Sequence, residues 1–448
     1  MEITENNANR LAFALIEKHQ LSYSDAESNL LNLNLNLQCG EKIKESIPLQ
    51  AAILTAINTG KRAFLGGVFI NLPDNTPCLV NWPQKLNFNE LVEFLGAKIN
   101  KELECDNFSL YFGLPCINKN SLRVVCDSWK GGVLTPDDSF VFEENGNLPL
   151  GGILAGALGI CHAFYKASNI DNICGNESFG LSLLDLDGEW KTCQNEEPEI
   201  IYLPKNYWIL GLGHLGQAYL WSIGLLPYQM HKKVNFILQD YDIVNEANYS
   251  AGLLCEMAHD KLKKTRVCAN WLEERGFITS ISERMFNSNT VRIEDEPFIA
   301  LCGFDSGKSR LALENAGFDL VVEAGLGGRL SNFDTIVIHT FPNGSKQPNE
   351  IWTSDTAVNI NPSLLNAFEG NEICGILPIK IASKSISASF VGAFTGAIVI
   401  AELLKGLHGK KRIDKAVISM RNLDYKKIIY NEINYTTEMA KNGFEENK

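Results

Sequence analysis

A glycine loop between an apolar run and a helical pattern is the feature that most constrains the fold. Residues 207 to 222 read YWILGLGHLGQAYLWS, with glycines spaced G-x-G-x-x-G at Gly211, Gly213 and Gly216. Glycines at this spacing permit a tight turn, close approach of the backbone to a phosphate, and packing of the helix that follows. A strand before the loop and a helix after it predict a nucleotide-binding unit. The alternative is a purely structural glycine turn.

The pattern after the loop alternates strands with helices. Strand-like runs at VNFILQDYD, PFIALCGFD and FDLVVEAGLG are separated by the helix-like runs HDKLKKTRVCANWLEERG and GKSRLALENAG. This alternation predicts an α/β, doubly wound, Rossmann-like parallel sheet within residues 200 to 448. Ligands of such sheets bind at the carboxyl ends of the strands. The polar residues that follow each strand are therefore the candidate site.

The first half of the chain has a different pattern. A length of 448 residues predicts two to three domains. Residues 46 to 195 mix helices and strands without a glycine-rich phosphate loop, and the acidic stretch QNEEPEIIYLP (194 to 204) predicts a linker. Residues 1 to 45 form an N-terminal extension whose run NLLNLNLNLQ predicts an edge strand or a docked extended arm.

One internal similarity links the two halves. The stretch GGILAGALGICHAFYK, at 151 to 166, aligns with VGAFTGAIVIAELLKG, at 391 to 406, so that pairs of glycines coincide. We interpret this as a degenerate duplication. The alternative is two unrelated buried helices whose small faces permit close packing.

Composition narrows the classes of partner. Acidic residues outnumber basic ones 53 to 40, which gives a net charge of -13 and argues against nucleic acid as the main partner. The N-terminal sequence lacks the features of a secretion signal, and the most membrane-like stretch carries Glu402 and Lys405. We therefore expect a cytoplasmic protein without a membrane partner. The 12 cysteines include no C-x-x-C pair, so neither a zinc ribbon nor a redox pair is indicated.

Charged residues at the ends of the predicted strands are the candidate ligands of the nucleotide. Asp240 lies where a carboxylate holds ribose hydroxyls, which suits NAD and ATP equally. Asp242 points to the same side and begins DYDIVNEANYS, which brings Asn248 near the phosphates. Lys264 starts a helix on the nucleotide side and could neutralise phosphate charge. Alternatively, it forms a solvated face with Lys261 and Lys263.

Asp305 ends the strand FIALCGFD and is followed by a helix that contains Lys308 and Arg310. A carboxylate at this place suits Mg²⁺ beside a triphosphate, whereas a nicotinamide site has no use for one. Asp305 could instead be the N-cap of the helix, a position at which aspartate is favoured.

Taken in order, these motifs resemble the adenylation domain of the ubiquitin-activating superfamily, the ThiF/MoeB/HesA-like enzymes. The matching segments are GLGHLG, DYDIVNEAN, Lys264 and GFDSGKSR, and the similarity spans about 200 to 410. The resemblance implies Mg²⁺- and ATP-dependent adenylation of the C-terminal glycine carboxylate of a ubiquitin-like protein. It also implies a conjugating enzyme as a further partner. The nearest match is the two-lobed activating enzymes of bacterial ubiquitin-like conjugation operons, including antiphage ones.

The resemblance assigns roles to the site residues. Gly211, Gly213 and Gly216 would hold phosphates, Asp240 the ribose, Lys264 the phosphates and Asp305 the Mg²⁺. Asp242, Asn248 and Arg310 would complete the same site. Residues 46 to 195 would be a degenerate, inactive copy of the fold, paired with an active lobe at 200 to 448.

Two departures from the family's pattern affect the prediction. Family members carry an arginine that contacts phosphate just after the asparagine, but Tyr249, Ser250 and Ala251 stand here. Arg266, Lys263, or an arginine of the N-terminal half or of a partner subunit must supply that charge. The zinc-binding cysteine pairs of the sulfur-carrier branch are also missing, which weakens a role in sulfur transfer.

A thioester step would require a reactive cysteine on an accessible segment. Cys374, in GNEICGILPI, lies where the family's crossover segment would run and is the candidate nucleophile. Cys302 lies in an apolar strand, and Cys255 and Cys268 lie in helical patterns, so packing explains these three.

Two other functions stay open from the residues alone. G-x-G-x-x-G with Asp240 also suits an NAD(P)-dependent oxidoreductase, although no positioned His or Tyr is evident for hydride chemistry. A catalytically dead scaffold that binds a ubiquitin-like partner would agree with the absent phosphate-contacting arginine. Retention of Asp240, Lys264 and Asp305 together argues against such a scaffold.

Overall fold

The chain folds into two α/β lobes, each built around one sheet. The computed structural model describes residues 3–102, 107–116, 118–142, 146–171, 174–192, 200, 202–353, 360–369, 376–431 and 443–445. The predicted α/β, doubly wound architecture is confirmed, and it occurs twice.

The N-terminal lobe holds a seven-stranded sheet and five described helices. Its strands are β1 (Asn34–Cys39), β2 (Gly67–Asn71), β3 (Lys98–Ile99), β4 (Phe108–Phe112), β5 (Ser121–Cys126), β6 (Lys130–Leu134) and β7 (Phe179–Ser182). Its helices are α1 (Ala12–His19), α2 (Tyr23–Asn32), α3 (Ile47–Gly60), α4 (Phe88–Phe94) and α5 (Leu150–Ala167).

The C-terminal lobe holds an eight-stranded sheet and a small two-stranded one. Its strands are β8 (Tyr202–Pro204), β9 (Asn206–Leu210), β10 (Asn235–Gln239), β11 (Ile278–Ser282), β12 (Ile299–Cys302), β13 (Leu320–Leu326), β14 (Thr335–Phe341), β15 (Ile413–Ser419), β16 (Lys426–Tyr430) and β17 (Gly443–Glu445). Its helices are α6 (His214–Gly224), α7 (Glu246–Tyr249), α8 (Lys264–Glu273), α9 (Gly307–Leu311), α10 (Pro348–Ile351), α11 (Pro362–Glu369), α12 (Ile376–Ala382) and α13 (Ser389–Leu407).

The two main sheets have the same topology. The first runs β3-β2-β1-β4-β5-β6-β7, and the second runs β11-β10-β9-β12-β13-β14-β15-β16. In each order, the first five strands are parallel to one another and the remaining strands are antiparallel to their neighbours. From β9, the chain first adds β10 and β11 on one side and then adds β12 on the other side, so the strand order reverses at β9. This is the switch point at which ligands bind.

The run NLLNLNLNLQ is not an edge strand or an arm, and that prediction is wrong. Residues 23–32 form α2, and the following β1 pairs with both β2 and β4 near the centre of the first sheet. Alternation of Leu with Asn is typical of a strand with one solvated face, but Asn36 is 1% exposed. The sheet therefore includes residues that the sequence had suggested were an extension.

The two glycine-rich helices pack in equivalent ways in the two lobes. α5 lies on α3, where a Cβ at Gly156 would stand 2.3 Å from the carbonyl oxygen of Ala52. α13 lies on α6, where a Cβ at Gly396 would stand 2.7 Å from the carbonyl oxygen of Ala218. The internal similarity thus corresponds to one structural position in both lobes, as a duplication predicts.

α5 and α13 are also long and apolar enough to cross a membrane by length and composition. In the structure, however, 89% of the apolar window of α5 and 100% of that of α13 are buried inside the protein. Both serve as core helices, as expected for the stretch that carries Glu402 and Lys405. These two side chains form an ion pair with both partners fully buried.

Candidate nucleotide site

Each glycine of the loop meets a different steric requirement. Gly211 has a φ of 82°, which favours glycine, and its N–H donates to the carbonyl of Gln239 at 2.9 Å. A Cβ at Gly216 would lie 1.9 Å from the carbonyl oxygen of Gly211, whereas a Cβ at Gly213 would meet nothing within 4 Å. Gly216 therefore permits contact between loop and helix, and Gly213 leaves open space where a phosphate can approach the backbone.

Asp240 connects the glycine loop to the end of β10. Its Oδ2 accepts the N–H of Leu212 at 2.6 Å, and its Oδ1 accepts the N–H of Asp242 at 2.8 Å. The side chain is buried, with 8% exposure. Two backbone donors thus fix the carboxylate at the switch point, where the sequence predicted a ribose ligand.

Lys264 faces the same carboxylates and is not part of a solvated face. Its Nζ lies 2.9 Å from Oδ2 of Asp242, and the residue is 8% exposed. Burial lowers the pKa of the ammonium, but the charge of Asp240 and the hydrogen bond and charge of Asp242 outweigh it, so the pKa is raised. Lys264 is therefore a fixed positive charge at the first turn of α8.

Asp305 lies at the mouth of the site and is exposed. The N-cap of α9 is Ser306, whose side chain accepts the N–H of Ser309, so the capping explanation for Asp305 does not hold. The charge of Asp242 raises the pKa of Tyr241, and Asp305 and Asp240 add to this effect. The three carboxylates are thus close enough to act on one phenol.

This arrangement fits Mg²⁺ that arrives with a triphosphate. Within the described residues, no group of three or more His, Cys, Asp and Glu side chains could hold a metal ion by itself. Mg²⁺ in nucleotide sites is held by one or two carboxylates, with phosphates and water as the other ligands. The exposed carboxylate of Asp305 offers the oxygen ligands that Mg²⁺ prefers, and its role as a metal ligand stays a prediction.

Asn248 and Arg310 are engaged with the protein itself. The Oδ1 of Asn248 accepts the N–H of Asn245 at 3.0 Å and so caps α7. The guanidinium of Arg310 lies 2.6 Å from Glu323 Oε1 and donates to the carbonyl of Phe304, also at 2.6 Å. Arg310 thus supports the loop that carries Asp305, and direct contact of Asn248 or Arg310 with a nucleotide stays a prediction.

The candidate nucleophile Cys374 lies outside the described residues. Cys255, Cys268 and Cys302 are buried, so packing explains all three. Cys268 lies on α8 and Cys302 on β12 as predicted, but Cys255 lies between α7 and α8 and not in a helix. Burial raises the pKa of all three thiols, which disfavours the reactive thiolate.

The segment that lacks the family's arginine is covered by the N-terminal lobe. The backbone N–H of Arg10 donates to Ser250 Oγ at 3.3 Å, and Arg62 Nη1 donates to the carbonyl of Tyr249 at 2.7 Å. Of the other candidates, Lys263 donates to the carbonyl of Tyr241 at 2.7 Å, and Arg266 is exposed on α8. The N-terminal half therefore brings two arginines to this segment.

Gln217 is a structural residue of the site that the sequence analysis missed. Its Nε2 donates to the carbonyl of Leu212, and its Oε1 accepts the N–H groups of Leu254 and Cys255. The side chain thus ties the glycine loop to the segment after α7. The sequence signal for Gln217 was a polar side chain within the otherwise apolar pattern of α6.

The double lobe, the glycine loop and the carboxylates at one switch point agree with an E1-like protein, and the comparisons with known proteins support that class. Two family models match: the BilD N-terminal domain at residues 34–183 and the BilD C-terminal domain at residues 203–410. The curated "Bacterial E1-like protein BilD" of Collimonas sp. (strain OK412) is 34% identical over 426 residues, which cover 92% of this chain and 91% of that protein. The chain belongs to the BilD family of bacterial E1-like proteins.

Solved structures give weaker similarities. E. coli MccB with MccA-N7isoASN has a TM-score of 0.34 and 16% identity, over 52% of this chain and 65% of that one. E. coli tRNA N6-threonylcarbamoyladenosine dehydratase, TcdA, has a TM-score of 0.32 and 16% identity, over 45% of this chain and 85% of that one.

Proposed function

We propose that this protein uses Mg²⁺ and ATP to adenylate the C-terminal carboxylate of a ubiquitin-like protein. The observation that carries the proposal is the convergence of Asp240, Lys264 and Asp305 beside an open glycine loop. A nicotinamide site would need no Mg²⁺-type carboxylate next to a buried lysine. Membership of an E1-like family supports adenylation as the general activity.

In the proposed reaction, a carboxylate oxygen of the substrate attacks the α-phosphorus of ATP. The bond from the α-phosphorus to the bridging oxygen breaks, and pyrophosphate leaves with that electron pair. Lys264 would stabilise the phosphate charge that develops, and Asp240 would orient the ribose. Mg²⁺ held by Asp305 would neutralise charge on the phosphates. Gly213 would let the loop amides approach the phosphates.

Arg10 is our candidate for the missing phosphate charge. Its backbone joins Ser250, within the segment where the family's arginine would stand. Its Nη1 is buried and has no hydrogen-bond partner among the described residues, whereas both Nη atoms of Arg62 donate to carbonyls. Burial lowers the pKa of Arg10 to about 10, and the nearby Glu5 and Tyr23 only partly oppose this. An anionic ligand would relieve that cost of burial.

Transfer of the acyl group to a thiol is the second part of the proposal. Cys374 would attack the acyl-adenylate, form a thioester and release AMP, and a conjugating enzyme would accept the acyl group from it. A place in a cytoplasmic ubiquitin-like conjugation pathway, of the antiphage type, follows from the same family resemblance.

The first experiment is thermal unfolding with Mg-ATP, with ATP and chelator, and with NAD(H) or NADP(H). Ligand at 100 times its dissociation constant stabilises by about 2.7 kcal/mol, which shifts the midpoint by a few degrees. We expect a shift with Mg-ATP that the chelator reduces. A shift with a nicotinamide cofactor alone would instead support an oxidoreductase.

The second experiment is ATP-pyrophosphate exchange with candidate ubiquitin-like proteins that end in glycine. We expect Lys264→Ala and Asp305→Ala to reduce exchange by at least about a hundredfold while the protein stays folded. Arg10→Ala should weaken exchange more than Arg10→Lys, which keeps the charge. The control Lys261→Ala alters a neighbouring lysine that is exposed and should retain exchange. Normal exchange in both Lys264→Ala and Asp305→Ala would remove the residue assignment.

A further inference from the structure

A cavity of about 760 Å³ lies between the two lobes. Its walls include Trp82, Gln84 and Lys98 of the N-terminal lobe, and Trp221, Trp271 and Arg275 of the C-terminal lobe. None of the glycine-loop residues, and neither Asp240, Lys264 nor Asp305, lines it. Its volume falls within the range of small-molecule sites, about 300–1,000 Å³. The cavity is thus separate from the proposed nucleotide site.

Aromatic rings and one arginine form the centre of the wall. The guanidinium carbon of Arg275 lies 3.5 Å from the ring centroid of Trp271 and 4.4 Å from that of Trp82. Trp221 extends this surface, since its ring centroid is 6.1 Å from that of Trp82. Gly224 makes room for the arrangement, because a Cβ there would stand 2.2 Å from the ring of Trp271.

The hydrogen-bonding capacity of this wall is only partly used. Arg275 is 7% exposed, and one nitrogen, Nη1, donates to the carbonyl of Trp271 at 3.0 Å. Its Nε and Nη2, together with Trp82 Nε1 and Gln84 Oε1, are buried without a hydrogen-bond partner among the described residues. Buried polar groups normally have a partner in the protein, in water or in a ligand. Two lobes thus present unpaired groups to one cavity.

The charge of Arg275 is also poorly compensated. Burial lowers the pKa of its guanidinium to about 9, and the charge of Glu274 opposes this only in part. Burial of His231 lowers the pKa of its imidazole, and the positive charge of Arg275 lowers this pKa further. Lys98, at the rim, is exposed, and its Nζ lies 5.4 Å from the ring centroid of Phe69. An oxyanion would meet the donors of Arg275 and Trp82, and a flat ring would stack on the indoles.

We propose that this cavity binds a small planar organic anion whose carboxylate or phosphate pairs with Arg275 and whose ring packs against Trp82, Trp221 and Trp271. The unpaired donors of Arg275 and Trp82 would meet acceptor oxygens of the ligand, and Gln84 Oε1 would accept a hydrogen bond from a ligand N–H group or from water. Because the rings of Trp82 and Trp271 lie against the guanidinium, the ligand oxygens would approach its edge, where Nε and Nη2 are unpaired. The site is independent of adenylation and spans both lobes.

The test is calorimetric titration of the full chain with three probes: indole-3-acetate, phenyl phosphate and the uncharged indole-3-acetamide. Each titration is run with and without Mg-ATP, so that binding at the proposed nucleotide site is separated from binding in the cavity. We expect at least one of the two anions to bind, and the amide to bind at least about tenfold more weakly. The stronger of the two anions identifies carboxylate or phosphate as the recognised group.

Variants then locate the site. Arg275→Met keeps a long side chain between the rings without its charge. We expect this variant to bind the anion at least about tenfold more weakly and to bind the amide with unchanged affinity. Arg284→Met, which removes an exposed arginine outside the cavity, should bind like the unaltered protein. If Arg275→Met does not fold, Arg275→Lys tests the same contact by loss of the planar fork.

Three results would overturn the proposal. Neither anion binds, which would mean that water alone satisfies the cavity. If the amide binds as tightly as the anion, the charge of Arg275 does not contribute to recognition of the ligand. Anion binding is the same in Arg275→Met as in the unaltered protein, which would mean that the anion binds elsewhere.

Discussion

Gly213 and Gly216 lie three residues apart and have opposite steric surroundings. A methyl group at Gly213 would project into open space, and one at Gly216 would collide with the carbonyl oxygen of Gly211. We expect Gly213→Ala to change the free energy of unfolding by less than about 1 kcal/mol. The same variant should bind ATP more weakly, because the methyl group would occupy the phosphate position. Gly216→Ala should cost about 1–3 kcal/mol through overpacking. Urea unfolding and ATP titration measure both effects, and equal stability of the two variants would contradict them.

His162 is a second residue whose surroundings determine a measurable property. It is fully buried on α5, and burial lowers its pKa to about 4, with the Met420 backbone and Asp171 opposing this weakly. In the unfolded chain, His162 binds a proton near pH 6.5, whereas in the folded chain it stays neutral down to about pH 4. The contribution of neutral His162 to stability is therefore complete above pH 6.5 and is lost as the pH falls towards 4.

We therefore expect His162→Asn to reduce the pH dependence of unfolding. Between pH 7 and pH 5 the unaltered protein should lose about 2 kcal/mol through this group, and the variant should not. Urea unfolding at the two pH values measures the difference. An unchanged slope with pH would show that His162 is not neutral in the folded protein.

Residues near the glycine loop were predictable because their signals are local. The loop, Asp240 and Lys264 each follow or begin an element whose period is legible in the sequence. The contacts of Arg10 with Ser250 and of Arg62 with Tyr249 join positions 240 and 187 residues apart. No periodic signal encodes such a pair, so these contacts could not be read from one sequence.

At the scale of elements, the central strand β1 shows the limit of the alternation argument. A period of two predicts one solvated face, but β1 has parallel neighbours on both sides. Its polar residue Asn36 is therefore buried, and Asn34 and Gln38 are half-buried. The small-residue stretches were better guides. Glycine spacing in α5 and α13 correctly indicated helices that approach another helix closely.

This close approach can be tested in both helices at once. We expect Gly156→Ala and Gly396→Ala each to cost about 1–3 kcal/mol, because the new methyl group would meet a backbone carbonyl of α3 or α6. The matched control is Gly159→Ala on α5, where the nearest atoms, at 3.1 Å and 3.2 Å, belong to the side chains of Val124 and Leu110. Thermal unfolding of the three variants gives the comparison, and a Gly159→Ala variant as unstable as the other two would contradict the explanation.

At the scale of the whole molecule, the two lobes share one apolar core. The core cluster contains buried residues of both sheets, and specific bonds cross between the lobes. Trp221 Nε1 donates to Thr55 Oγ1 at 3.1 Å, and Arg421 Nη2 donates to the hydroxyl of Tyr165 at 2.8 Å. The domain boundary near 195 therefore separates two folding patterns and does not separate two independent cores.

We expect residues 1 to 195 and 200 to 448, expressed alone, to be insoluble or unfolded, since each would expose the apolar helix faces that the other covers. Co-expression of the two pieces should give a soluble complex that purifies as one species. Solubility, circular dichroism and size-exclusion chromatography measure these outcomes. A soluble, cooperatively folded piece on its own would show that its lobe is an autonomous unit.

The position of α13 in the chain has a consequence for synthesis. This helix contacts α3, α5 and α6, so it completes the core of the lobe made first as well as of its own. It is encoded after nearly nine-tenths of the chain, and a ribosome adds about 5–20 residues per second. The earlier lobe must therefore wait many seconds, with its matching surface uncovered, for a helix that has not yet been translated.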